Sequence, residues 1–159
     1  MDIPQEAIIG FLGELIGLVV MKDKLNRDEM FFRIAHIETG LEKKETILND
    51  MKKIKNPNFQ DLEGTSYLHL ACQEHSIETI KILLDLGADP SISDCRGFSP
   101  VMNALVSKNE KNKEILELML QHGLDINKME GKRSLKERIG LFKDSELNAI
   151  MAKYSNQEI

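Results

Sequence analysis

LLDLGADPSISDCRGFSP, residues 83–100, closes one helix and opens another within a single short stretch. The leucine run stops at Gly87, a residue suited to the left-handed conformation that ends helices, and Pro90 prevents continuation. Ser99 stands where an N-cap belongs. Pro100 follows in the first turn, where its missing N–H costs no hydrogen bond. Between the two lies turn chemistry: Asp89, Ser91, Ser93, Asp94 and Gly97. Done once, this is a loop; done at a fixed spacing, it is a repeat.

The spacing is fixed. DLEGTSYLHLA (61–71) aligns with DCRGFSPVMNA (94–104), pairing Asp61 with Asp94, Gly64 with Gly97, Ser66 with Ser99, Leu68 with Val101 and Ala71 with Ala104 at a period of 33. Farther on, Leu83-Leu84 matches Met119-Leu120 and Gly87 matches Gly123, now 36 apart. The three added residues fall in SKNEKNKE (107–114), a polar loop that absorbs them. Each unit has a short first helix, carrying Leu68, Leu70, Ala71 and Cys72 in the first copy. Small Ala71 and Ala104 allow neighbouring helices to approach. The second helix carries Ile77, Ile80, Ile82, Leu83 and Leu84, with Glu78, Lys81 and Asp85 on its wet side. This pattern predicts helices over 66–73, 77–86, 99–107 and 112–122, with sheet confined to short hairpins. One unit cannot cover its own apolar face; stacked neighbours can.

The pattern decays outward. NPNFQDLEG (56–64) mimics DPSISDCRG (89–97), so a degenerate unit is expected upstream, with EMFFRIAHIETG (29–40) and EKKETILNDMKKI (42–54) as its helices. Downstream, GKRSLKERIG (131–140) and DSELNAIMAKY (144–154) form a final pair, Gly131 lying 34 residues after Gly97. A single domain over 1–159 is expected, divided into an N-terminal helix (1–24), a degenerate repeat (25–60), two clear repeats (61–93 and 94–129) and a capping repeat (130–159).

The period, together with SYLHLA (66–71) and LLDLGADP (83–90), resembles the ankyrin repeat, whose first helix opens on Thr-Pro-Leu-His-x-Ala. Ser66-Tyr67 replaces Thr-Pro in the central repeat, and Met102 replaces the family's histidine in the next. The resemblance implies an all-α solenoid of about four helix-turn-helix units with an extra N-terminal helix. It also implies that His69 hydrogen-bonds backbone in the turn region rather than acting in catalysis. By the same resemblance, a binding face combines finger tips with the exposed side of each first helix. Here it maps to Leu62, Glu63, Thr65, Gln73 and Glu74 in one unit, and to Cys95, Arg96, Phe98, Val106 and Ser107 in the next. Leu62 and Phe98 are the two apolar residues at positions expected to be exposed, each an anchor or a residue packed on the adjacent finger.

Other chemistry finds little support. No dinucleotide fingerprint, P-loop or nucleophile elbow occurs, so an enzyme is not expected. His69 and Cys72, one helical turn apart, lack a second pair to complete a zinc site, so no metal or cofactor is expected. His36, His75 and His122 stand near helix ends, where solvation or the helix dipole accounts for them. Apolar content of 42% and charged content of 30% suit a folded soluble chain, and only two cysteines, Cys72 and Cys95, suit a reducing, cytoplasmic setting. AIIGFLGELIGLVVM (7–21) is too short for a membrane span, carries Glu14 and lacks signal-peptide flanks. It reads as a buried or partner-covered helix, with Gly13 and Gly17 suited to close packing.

Charge is unevenly placed. Residues 61–99 hold 7 acidic and 2 basic side chains, matching the whole chain's net −5. Asp61, Asp85, Asp89 and Asp94 are in part turn and cap residues. Otherwise the acidic middle steers a basic protein and repels nucleic acid. The function expected is non-enzymatic protein binding. Small ankyrin proteins of this kind resemble bacterial immunity proteins, so the leading expectation is a stoichiometric inhibitor neutralising a basic toxin, such as a nuclease. The Lys-, Ile- and Asn-rich composition is compatible with a bacterial source. The alternatives are a general ankyrin adaptor, scaffold or effector, membrane-associated through residues 7–21, and a homodimer built on that same helix.

Overall fold

The computed structural model describes residues 25–156. The expected helix over 7–21 and its Gly13/Gly17 face lie outside the described residues. Within them, eight helices form four antiparallel pairs: α1 (Glu29–Ala35) with α2 (Lys44–Met51), α3 (Tyr67–Gln73) with α4 (Ile77–Asp85), α5 (Pro100–Leu105) with α6 (Asn112–Gln121), and α7 (Leu135–Leu141) with α8 (Ser145–Ser155). Two-residue strands β1 (Met129–Glu130) and β2 (Arg133–Ser134) pair as an antiparallel hairpin before α7. This is the all-α solenoid expected from the repeat.

The helices stop where the punctuation requires. Gly87, Gly97 and Gly123 take φ values of +91, +81 and +98°, closing α4, turning the finger before α5 and closing α6. Ser66, Ser99 and Ser134 are the N-caps of α3, α5 and α7. The core is one apolar column through all four pairs, from Phe31 and Ile34 through Leu68, Ile80, Leu83, Ile115 and Met119 to Leu135 and Met151. Ala71 and Ala104 are fully buried where α3 packs on α5.

Two rows of helices result. The outer row (α2, α4, α6, α8) packs continuously. An exposed ladder of ion pairs crosses it: Lys44–Glu78 at 3.3 Å, Lys81–Glu114 at 2.9 Å, Lys113–Glu146 at 2.6 Å and Lys153–Glu117 at 3.1 Å. Solvent-exposed pairs of this kind contribute at most about 1 kcal/mol each, so they set register more than stability. The fingers are joined by backbone bonds: Leu62 N–H to Leu25 O (2.9 Å), Cys95 N–H to Glu63 O (2.8 Å) and Gly131 N–H to Gly97 O (3.1 Å).

The inner row (α1, α3, α5, α7) is less regular. Helix α1 packs on α3 and α3 on α5, whereas α7 stands off from α5. Five residues past the N-cap serine, α3 and α5 carry Ala71 and Ala104, and α7 carries Ile139. Ile139 is itself fully buried, so α7 carries a larger side chain at this position than α3 and α5 do.

Candidate functional site

The gap between α5 and α7 is a groove of about 390 Å³, roofed by the finger before α5. Asp94 builds that finger. Its Oδ1 accepts from Arg96 N–H (2.9 Å) and Phe98 N–H (3.0 Å), and its Oδ2 accepts from the Arg96 guanidinium at 2.9 and 2.6 Å. Burial pushes Asp94 up, but these donors outweigh it and hold its pKa below the ordinary carboxylate value. The same turn recurs at Asp61, which accepts from Glu63 N–H and Thr65 N–H and pairs with Arg27 at 2.8 Å.

Held by this turn, the Phe98 ring takes two arginines over it, with the Arg138 Cζ 4.7 Å and the Arg96 Cζ 5.5 Å from its centroid. Its edge abuts Gly131, where a Cβ would stand 3.4 Å from the ring. Arg138 is fixed in turn, its Nε–H donating to Glu130 O. The open sides of the groove carry Val106, Leu141 and Phe142, which are 76, 57 and 41% exposed. Three large apolar side chains from two adjacent units thus border one cleft.

Of the residues expected to bind, Gln73, Arg96, Phe98 and Val106 line this groove. Leu62, Glu63 and Cys95 are exposed on the fingers and Ser107 is exposed at the end of α5, while Thr65 is half-buried in its turn. Two expectations need correction. Phe98, placed at a position expected to be exposed, is half-buried and packs against Gly131 of the next finger, the second of its two alternatives. Glu74 is not freely solvated either; it is half-buried, and burial, reinforced by the Glu38 charge, pushes its pKa up. Leu62, at 71% exposure, remains open to solvent.

Inter-unit clasps position these elements. His69 is fully buried; its Nδ1 accepts from Ser66 N–H (3.1 Å), so Nε2 carries the proton and donates to Phe98 O (3.0 Å). Burial lowers its pKa and keeps the ring neutral. In the next unit Met102 offers no such acceptor. There Glu130, fully buried, reaches back from β1 to take Ser99 N–H at 2.7 Å and Ser99 Oγ–H at 2.5 Å. His75, expected to be solvated, is instead buried in a left-handed turn (φ +51°), with Nε2 at 3.1 Å from Ala104 O and 3.0 Å from Asn112 Oδ1. The wrong expectation treated a helix end as a chain end, whereas in a stack it meets the next unit.

Reading the sequence missed Arg138, Leu141, Phe142 and Glu130. One signal was available: counting from the N-cap serines, Leu141 and Phe142 fall where Val106 and Ser107 fall. Chemically, the groove suits recognition. Cys72 is buried and its thiol pKa is pushed up, which leaves it unreactive. Among the described residues no group of three His, Cys, Asp or Glu is placed to hold a metal, and no helix is long and apolar enough to cross a membrane.

Residues 36–130 match the family model described as ankyrin repeats (3 copies). The chain is 28% identical over 138 residues to the transient receptor potential cation channel subfamily A member 1 of Homo sapiens, covering 82% of this chain and 12% of that protein. It is 32% identical over 111 residues to an ADP-ribosylation factor GTPase-activating protein of Arabidopsis thaliana, covering 66% of this chain and 14% of that one. Its fold is similar to the crystal structure of an ankyrin repeat domain from Acinetobacter baumannii, with a TM-score of 0.69 at 14% identity over 82% of this chain and 66% of the other. The chain therefore spans only a small fraction of these two curated relatives.

Proposed function

This chain belongs to the ankyrin repeat family, and from that premise we propose that it is a non-enzymatic module that binds a partner protein in the groove between α5 and α7. The observation that carries this reading is the exposure of Val106, Leu141 and Phe142 around one cleft whose walls are fixed by Asp94, Glu130 and the finger bonds. Contiguous apolar surface on a rigid frame costs little ordering on association and marks interaction sites. The test is capture of a partner from the native organism, followed by titration of the purified pair. Val106→Asp and Phe142→Asp should each weaken binding about tenfold or more, with unchanged melting, since a buried charge without a partner is penalised at an interface core. Full affinity in both variants would sink the groove.

The finer reading is a stoichiometric cytoplasmic inhibitor, such as an immunity protein neutralising a basic toxin. Its support narrows to Glu63 and Glu74 at the upstream end of the same face, because Asp61 and Asp94 are buried and paired with Arg27 and Arg96. Reversing both glutamates to lysine should slow association steeply at low salt and little at high salt. The adaptor alternative draws on the channel and GTPase-activating relatives, in which the matched stretch is a minor part of a longer protein.

A further inference from the structure

The groove has a chemical polarity that narrows its partner. Arg27 and Arg96 each pair with an aspartate of a finger turn, and Arg33 pairs with Glu42 and Asp50. Arg138 differs. It is half-buried, stacked on Phe98, and held by one Nε–H bond to a backbone carbonyl, and among the described residues no carboxylate lies within ion-pair distance of it. A guanidinium has five N–H donors, so four on the Nη side remain for another acceptor. Among the described residues no acidic side chain lines the groove, whereas Arg96 and Arg138 both do. The cation is therefore preorganised at one end of a cleft whose other end is bordered by Val106, Leu141 and Phe142.

We propose that this groove recognises an acidic–apolar segment of the partner, a carboxylate seated on Arg138 beside one or two large apolar side chains against Val106, Leu141 and Phe142. The inference rests on the protein-binding reading above and specifies its chemistry. The carboxylate completes a planar pair with a guanidinium whose orientation is already fixed by Phe98 and Glu130 O, so little rotamer freedom is lost on docking. The apolar residues supply buried area, and a guanidinium that no carboxylate pairs with among the described residues disfavours a basic side chain at that point of the segment.

The test is selection of random 16-residue peptides displayed on phage against the full chain, followed by titration of synthetic copies of the enriched sequences. Enriched peptides should carry Asp or Glu next to Leu, Ile, Phe or Met. Replacing that acid by its amide in the peptide, which leaves the protein untouched, should weaken binding about tenfold or more, the scale of a charge-assisted pair. Arg138→Gln should erase the difference between acid and amide peptides, while Arg138→Lys should retain part of it. If enriched peptides are neutral or basic, yet lose affinity with Phe142→Asp, the groove binds protein and the acidic partner is wrong. If enriched peptides ignore both Arg138→Gln and Phe142→Asp, or none is enriched, the acidic–apolar assignment and the groove fail together.

Discussion

Glu130→Ala should uncouple the last helix pair from the rest of the stack. The carboxylate is fully buried and accepts from Ser99 N–H at 2.7 Å and Ser99 Oγ–H at 2.5 Å, with Lys128 Nζ at 3.9 Å. Hydrogen bonds to a charged group contribute about 1.5–3 kcal/mol each, and the two Ser99 donors would be left buried without an acceptor. Relief of the carboxylate's own desolvation offsets part of this, so a net cost of about 3 kcal/mol is expected. At about 2–4 °C per kcal/mol for a chain of this size, the midpoint should fall by about 6–12 °C. Because stability in a stack is a sum of unit and interface terms, the loss should be local: amides of α7 and α8 should exchange faster than those of α3 and α4. A second substitution makes the reasoning specific. Met102 occupies the place where the preceding unit has His69, which accepts from Ser66 N–H. Met102→His should therefore recover part of what Glu130→Ala loses, while doing harm in the wild-type background, where two acceptors would compete for Ser99. Thermal melts and hydrogen exchange on the four proteins decide it. An unchanged midpoint in Glu130→Ala, or a double variant worse than the single, would refute the clasp.

His69→Ala removes the acceptor of Ser66 N–H and the donor to Phe98 O, and should cost about 2–3 kcal/mol in chemical denaturation. Because burial lowers the folded-state pKa of His69, its contribution is present above about pH 6.5 and is lost as pH falls through the folded value. The wild-type midpoint should thus decline in that window, and the decline should shrink in His69→Ala. Gly64→Ala should destabilise by about 1–3 kcal/mol, since φ is +75° and a Cβ would lie 3.0 Å from Asp94 Cα and Cys95 N; an unaffected melt would mean the finger contact is loose. Ala104→Leu, at a fully buried site on α5, should cost about 1–3 kcal/mol by overpacking, and a variant as stable as the wild type would show spare room there.

What the sequence made legible is what local chemistry controls. Gly87, Pro90, Ser99 and Pro100 fixed helix ends to within about two residues because caps and breakers act on the chain beside them. Asp61 and Asp94 were readable as turn residues for the same reason. The clasps were not, because Ser99 and Glu130 lie 31 residues apart and no repeat position calls for an acid there. Nor was Arg138, whose value depends on Phe98 in a different unit. The acidic middle misled in part: formal charge counts Asp61 and Asp94, but their fields are largely cancelled by Arg27 and Arg96. His75 misled by its sequence neighbourhood, since only stacking puts Ala104 O and Asn112 against it.

The constancy of the frame explains where variation can appear. Finger bonds repeat along one edge, and the ion-pair ladder repeats along the outer helices. Between them the buried column leaves almost no position free to change. The exposed ends of the inner helices are the exception, and there the chain grades from Gln73-Glu74 through Val106-Ser107 to Leu141-Phe142, from polar to apolar. The departures from the repeat fall on the apolar side: Met102 for histidine, Ile139 for alanine, and Glu130 reaching back to repair the cap. Glu130 ties the last unit to Ser99 while α7 stands off from α5. A sequence that breaks its own rule in one place and compensates beside it has a reason other than stability. On the function proposed above, that reason is the groove, with its apolar border and an arginine that no carboxylate pairs with among the described residues.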